Sequence, residues 1–113
     1  MSECLFCRIV AGEIPADEVM RTDEVVAFRD ISPQAPVHVL VIPTAHFVDA
    51  RAMSTSDPQL AGNLIKAATD VAAAEGLEGG YRIVFNTGDD GGQTVHHVHA
   101  HVLGGRSMKW PPG

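Results

Sequence analysis

Four of the six histidines of this chain fall in one short stretch, TVHHVHAHVL, at positions 96, 97, 99 and 101. In an extended strand successive side chains point to opposite faces. His97, His99 and His101 therefore share one face, and Val98, Ala100 and Val102 share the other. Neighbouring rings on the histidine face stand about 6.7 Å apart. His96 has the parity of the apolar face and sits at the loop end of the strand.

A row of imidazoles suits two kinds of chemistry. One is a catalytic metal site, but on a straight strand the outer two rings lie more than about 13 Å apart, a poor start for a tetrahedral cage. The other is chemistry at phosphorus. Imidazole is largely neutral near pH 7 and nucleophilic at nitrogen. A neutral nucleophile is not repelled by a phosphate anion as a carboxylate is. A protonated neighbour can neutralise phosphate oxygens or protonate a leaving group. The segment before the strand, NTGDDGGQT, adds fitting groups. Gly91 and Gly92 let backbone approach a phosphate closely, Thr94 offers a hydroxyl and Asn86 an amide. No G-x-x-x-x-G-K-[ST] occurs, so this is not a P-loop.

A second cluster begins at Cys4-Leu5-Phe6-Cys7. C-x-x-C in a reducing compartment is a metal clip or a redox pair. A zinc clip needs two more ligands, and His46, just beyond the strand break at Pro43, and His97 are the candidates. Four protein ligands would close the coordination sphere, making such a site structural rather than catalytic.

The elements that must position these groups are readable in outline. EVVAFRDI and VHVLVIP, joined by SPQAP, have the β-branched and aromatic content of strands. From Pro58 to Glu75 the period becomes helical, with Leu60, Ala61, Leu64, Ile65, Ala68, Val71 and Ala72 on one face. Asp57-Pro58 suits the start of that helix and Gly76 its stop. YRIVFN and HVHAHVL read as two further strands, AGEIPADE as a turn region, GGRSMKWPPG as an extended tail, and Leu5 to Val10 as a short helix. One long helix among antiparallel strands is an α+β pattern.

Composition bounds the rest. The chain has 113 residues, 45% hydrophobic and 19% charged, with net charge −6. This predicts one globular domain over 1–113 with a core that needs no disulfide framework. The acidic balance argues against a nucleic-acid polymer as partner, though one pocket can still be locally suited to a phosphorylated ligand. With no apolar run of spanning length and no secretory pattern at the start, no membrane partner and a cytoplasmic location are expected.

His97 to Leu103, HVHAHVL, matches the histidine triad signature of alternating histidine and apolar residues. DISPQAPVHVLVIPTAH, GGQTVHHVHAHVLGGR and the terminal WPPG extend the likeness nearly end to end. The chain resembles the nucleotide-binding branch of the histidine triad family, of purine nucleoside phosphoramidase type. The resemblance implies an antiparallel five-stranded sheet with one long and one short helix, joined edge to edge in a homodimer. It implies that His99 attacks the α-phosphorus to form a nucleotidyl-histidine and that water then releases the nucleoside monophosphate. His101 would contact phosphate and leaving group, and His38 would orient His99. Asn86, the Gly92 amide and Thr94 would hold phosphate oxygens, and Asp30 the ribose hydroxyls. Phe6, Ile9, Phe28 and Ile31 would sandwich a purine, and Trp110 would reach toward the partner's site. Bacterial relatives suggest a structural zinc on Cys4, Cys7, His46 and His97, with no metal required for the chemical step. Three other readings remain open on the residues: a dinucleoside polyphosphate hydrolase, a non-catalytic nucleotide sensor or interaction module, and a metal-dependent hydrolase.

Overall fold

The computed structural model describes residues 3–113. Eight elements follow in order: α1 (Leu5–Val10), β1 (Glu18–Arg21), β2 (Val25–Arg29), β3 (Val37–Pro43), α2 (Ala50–Ser56), α3 (Pro58–Ala74), β4 (Tyr81–Phe85) and β5 (Ala100–Gly104). The strands form one antiparallel sheet in the order β1-β2-β3-β5-β4. This is the α+β arrangement expected, with the five-stranded antiparallel sheet that the family resemblance implies; β1 is the strand that the residue pattern alone does not show, and α2 is one short helix more than expected.

Strand β1 overlaps the expected turn region AGEIPADE only at Glu18, and its other residues carry no strand pattern of their own. It is short, half-exposed and broken by a register shift between Glu18 and Met20, so it carries little alternation to read. Helix α2 adds a second short helix. Asp49 caps it, its carboxylate accepting from the N–H of Ala52 at 2.8 Å, but Met53 alone among its residues is buried, so no apolar stripe announces it.

The pleat sends alternate residues of each strand into two separate cores. Val25 and Ala27 of β2, Val39 and Val41 of β3, and Ala100 and Val102 of β5 face α3. Val26 and Phe28, with Leu40 and Ile42, face the opposite way and join Phe6 and Ile9 of α1. With helices on both sides, β3 is buried almost throughout, which is why VHVLVIP reads as a continuous apolar run.

Helix α3 forms where its caps predict. Asp57 accepts from the N–H of Leu60 at 3.1 Å and Pro58 occupies the first turn. Leu60, Leu64, Ala67, Ala68, Val71 and Ala72 are its buried residues. Ile65, expected on that face, is instead 48% exposed, because the contact stripe runs through Ala67. Arg29 at the end of β2 forms a two-pronged ion pair with Glu75 at the end of α3, fastening helix to sheet. Among the described residues no helix is long and apolar enough to cross a membrane.

Leu64 is fully buried between α3 and the sheet. Leu64→Ala is expected to cost about 2–5 kcal/mol in urea unfolding, from lost transfer energy plus the cavity left behind. Ile65→Ala, one residue on, should change stability by no more than about 0.5 kcal/mol.

Candidate active site and metal centre

β5 starts at Ala100, so His97 to His99 stand just ahead of the sheet ladder rather than within it. They keep the extended alternation all the same, because the N–H of Val98 donates to the carbonyl of Phe47 at 2.7 Å. Val98, Ala100 and Val102 enter the α3 core. His97, His99 and His101 fall on the α1 side. His96 is exposed at the loop end.

The hydrogen bonds fix which nitrogen of each ring carries its proton. His99 Nδ1 lies 2.8 Å from the carbonyl oxygen of His97. A carbonyl only accepts, so Nδ1 carries the hydrogen and Nε2 keeps a free lone pair. Burial pushes the His99 pKa down, against opposing effects of the His97 carbonyl and the Asp30 charge. Phe6 sets its ring perpendicular to that of His99, with centroids 5.1 Å apart. The nucleophile candidate is therefore neutral, oriented and bare at one nitrogen.

His38 was expected to orient His99; its hydrogen bond goes to His101 instead. Register explains this. His38 lies opposite Leu103 and Leu40 opposite His101, which makes His38 and His101 diagonal neighbours on one face, within reach of aromatic rings. The backbone N–H of Gln34 donates to His38 Nδ1 at 3.0 Å, and His38 Nε2 lies 2.8 Å from His101 Nδ1. Since His38 Nδ1 accepts, its proton is on Nε2, and His101 Nδ1 accepts in turn. The remaining proton of His101 is on Nε2. His99 and His101, with centroids 5.0 Å apart, thus carry opposite tautomers: a lone pair at Nε2 of one and an N–H at Nε2 of the other. Burial, then the neighbouring His99 and His38 rings, push the His101 pKa down to about 4. Burial likewise lowers that of His38, with Asp30 opposing.

Both His99 and His101 line a cavity of about 720 Å³ on this face, a size that takes a nucleotide-like ligand. Phe6, Ile9, Phe28 and Leu40 give it apolar walls suited to a flat ring; Ile31, 98% exposed, stands at its mouth. Asp30 and Thr94 supply polar groups. One Asp30 oxygen accepts from the N–H of Ser32 at 2.7 Å, while the other lies 3.6 Å from His38 Nε2.

Four expected residues lie outside this lining: His38, which is buried beside His101, and Asn86, Gly92 and Trp110. Asn86 donates to the Gly91 carbonyl at 2.7 Å and staples the loop closed. Gly91 meets Thr87 so closely that a Cβ would sit 2.3 Å from its carbonyl oxygen, and Gly92 has φ of 79°, which explains the paired glycines. Trp110 is 86% exposed. Two glutamines escaped the sequence reading. Buried Gln93 pins the same loop, donating to the Val48 carbonyl at 2.6 Å and accepting from the N–H of Gly88 at 3.0 Å. Gln34 acts through its backbone, which no side-chain pattern reveals.

Behind the row, Cys4, Cys7, His46 and His97 bring one donor atom each into a common cluster. Cys4 Sγ and Cys7 Sγ lie 3.4 and 3.5 Å from His97 Nδ1, Cys7 Sγ lies 3.4 Å from His46 Nδ1, and the two Nδ1 atoms are 3.1 Å apart. A tetrahedral ion with bonds of about 2.0–2.3 Å has ligand-to-ligand edges of roughly 3.3–3.8 Å, so the set fits zinc. His97 is prepared for it. Its Nε2 lies 2.9 Å from the Pro43 carbonyl and donates there, which leaves the Nδ1 lone pair facing the thiols. Cys4 also caps α1, its sulfur accepting from the N–H of Cys7. A second trio of metal-binding types, Asp30, His38 and His101, fits an ion poorly. The proton that Gln34 forces onto His38 Nε2 occupies the position a metal would need.

Comparison with known proteins agrees with this geometry. The HIT domain family matches residues 11–108. An uncharacterised HIT-like protein of Synechococcus elongatus is 51% identical, with all of both chains covered. The 14 kDa zinc-binding protein of Zea mays is 45% identical, with 99% of this chain and 89% of that one covered. The crystal structure of a HIT family hydrolase from Legionella pneumophila superposes with a TM-score of 0.94 at 51% identity, covering 98% of this chain and 100% of that one.

His101 is neutral in the fold and its pKa lies below that of a free imidazole. Its contribution to stability is complete above the unfolded value of about 6.5 and is lost as pH falls through about 4. Melting temperature measured from pH 7.5 down to 4.5 should therefore fall less steeply in His101→Gln than in the parent. Parallel curves would show that His101 is not held neutral by its surroundings.

Proposed function

This chain belongs to the HIT domain family, and from that premise we propose that it is a nucleotide hydrolase acting through a covalent intermediate on His99. Its substrates on this reading are purine nucleoside 5′-phosphoramidates or related adenylates. The observation that carries the reading is the pair of opposite tautomers at one cavity wall: a bare His99 Nε2 beside a protonated His101 Nε2. A sensor has no need of a nucleophile beside a hydrogen-bond donor. The Legionella relative described as a HIT family hydrolase supports the same class.

The steps follow from these atoms. The apolar walls take the purine and the free Asp30 oxygen takes a ribose hydroxyl. Thr94, Asn86 and the Gly92 N–H hold phosphate oxygens, with Asn86 releasing the Gly91 carbonyl and the Gly92 N–H releasing the Asp89 carbonyl to do so. His99 Nε2 forms a bond to the α-phosphorus as the bond to the leaving nitrogen or oxygen breaks. That atom keeps the electron pair, accepts a hydrogen bond from His101 Nε2–H, and takes its proton from a water entering the cavity. The hydroxide so formed attacks phosphorus, and its bond to phosphorus replaces that of His99 Nε2, releasing His99 and the nucleoside monophosphate. The sum is substrate plus water giving amine or acid plus monophosphate.

Cys4, Cys7, His46 and His97 would hold a structural zinc, a reading supported by the maize relative's description as zinc-binding. Bound there, the ion would tie α1 to the segment carrying His99, and no step above passes through it. The whole chain, 1–113, acts as one domain on this reading, in the cytoplasm. β4 ends the sheet with one edge unpaired among the described residues, which suits edge-to-edge association into a homodimer whose partner site Trp110 would reach.

Quenched turnover of an adenosine phosphoramidate should yield an adenylyl adduct on His99 by mass spectrometry. His99→Asn should abolish the adduct and lower the rate at least ~10³-fold. A loss of only a few-fold would defeat the covalent route. Chelation should lower the melting temperature by at least about 5 °C. If chelator instead stopped turnover and left melting unchanged, the metal would be catalytic and the structural assignment wrong.

A further inference from the structure

The loop ahead of β3 is built around one backbone N–H. Asp30 accepts from the N–H of Ser32, and the Gln34 side chain donates to the Ser32 carbonyl at 2.9 Å. That leaves the Gln34 N–H aimed at His38 Nδ1. The chain leaving β5 then doubles back over this loop. Arg106 Nη2 donates to the Gln34 carbonyl at 3.1 Å, while its Nη1 reaches the Ser107 carbonyl at 3.4 Å. The crossing is close. A Cβ at Gly105 would lie 2.9 Å from Cβ of Pro36, and φ at Gly105 is 91°, so only glycine lets the two segments meet. Gly105 and Arg106, the end of the GGR motif, thus form a latch on the loop that feeds the histidine relay.

We infer that Arg106 is a positioning residue, which holds the Gln34 N–H against His38 and through it keeps the outward proton on His101. The physical reason is that two donors cannot face one another. While the Gln34 N–H is in place, His38 Nδ1 must accept, His38 Nε2 must donate, and His101 must carry its proton on Nε2. If the loop withdraws, His38 Nδ1 is free to take the proton. The His38 to His101 bond then reverses, and His101 shows a bare Nε2 to the leaving atom. A bare nitrogen cannot donate a hydrogen bond to a departing amine.

The inference concerns the donor role given to His101 in the proposed reaction and rests on that reading for its kinetic consequence. Its structural content is tested apart from it. In zinc-loaded protein with ¹⁵N-labelled histidine, long-range ¹H–¹⁵N spectra at pH 8 should show the Nε2–H tautomer at both His38 and His101. Arg106→Ala should populate the Nδ1–H form at both. Arg106→Lys, one donor able to reach the same carbonyl, should restore the parent tautomers. In turnover, Arg106→Ala should lower kcat about tenfold for an adenosine phosphoramidate with an alkylamine leaving group. It should change kcat by no more than about twofold for an adenylate ester of an acidic phenol, whose departure needs no proton. Parent tautomers retained in Arg106→Ala would overturn the inference whatever the rates. An equal fall on both substrates would show a general loss of structure and overturn it as well. Should the chain prove to hydrolyse neither compound, the function proposed above fails while the tautomer result still decides the role of Arg106.

Discussion

The site depends on one hydrogen bond, from His99 Nδ1 to the carbonyl of His97. Neutral imidazole has two tautomers, and only one of them presents a lone pair at Nε2. Solvent would leave both populated. Here the carbonyl lies two residues back on the same extended segment, so the backbone that places the ring also selects its tautomer. The Phe6 ring, perpendicular to that of His99, limits how far the imidazole can turn. Burial does the rest by disfavouring the protonated ring, in which that lone pair would be consumed.

His97 therefore serves two masters. Its side chain joins the cysteine cluster through Nδ1 and the Pro43 carbonyl through Nε2, and its own carbonyl holds His99. It is fully buried, as a residue tied at three points must be. The metal-binding cluster and the proposed nucleophile, neighbours in sequence, thus share a rigid residue. The cluster draws on α1, on the segment after β3 and on the approach to β5, three regions far apart in the chain. Gathering them fixes α1, and α1 supplies Phe6 and Ile9 to the cavity wall. Support for the scaffold and support for the chemistry are the same set of contacts.

Much of this was legible from short-range pattern. Alternation along HVHAHVL separated histidines from core residues correctly, because a period of two survives even where the ladder has not begun. The caps of α3 and the extent of β3 followed from Asp57-Pro58 and from a continuous apolar run. The cysteine spacing pointed to His46 and His97 as companions, and the structure gathers all four. What escaped depends on long-range register or on backbone atoms. The partner of His38 is decided by a diagonal across two strands, and sequence spacing says nothing about diagonals. Gln34 contributes a main-chain N–H, which every residue but proline has. β1 and α2 are short and weakly patterned, held by neighbours rather than by their own propensity.

The two-sided sheet also divides the chain's freedom to vary. Alternate positions of the same strands answer to different requirements. Val39, Val41, Ala100 and Val102 need only fill volume beneath α3, whereas Leu40, His99 and His101 line the cavity and His38 backs His101. A redesigner could exchange aliphatic shapes on the helix side while leaving the reactive wall untouched. Conversely, new cargo preferences could be sought in Ile31 and the rim without disturbing the hydrophobic interior. Pleating of this kind makes robustness and adaptability separable within a handful of consecutive codons.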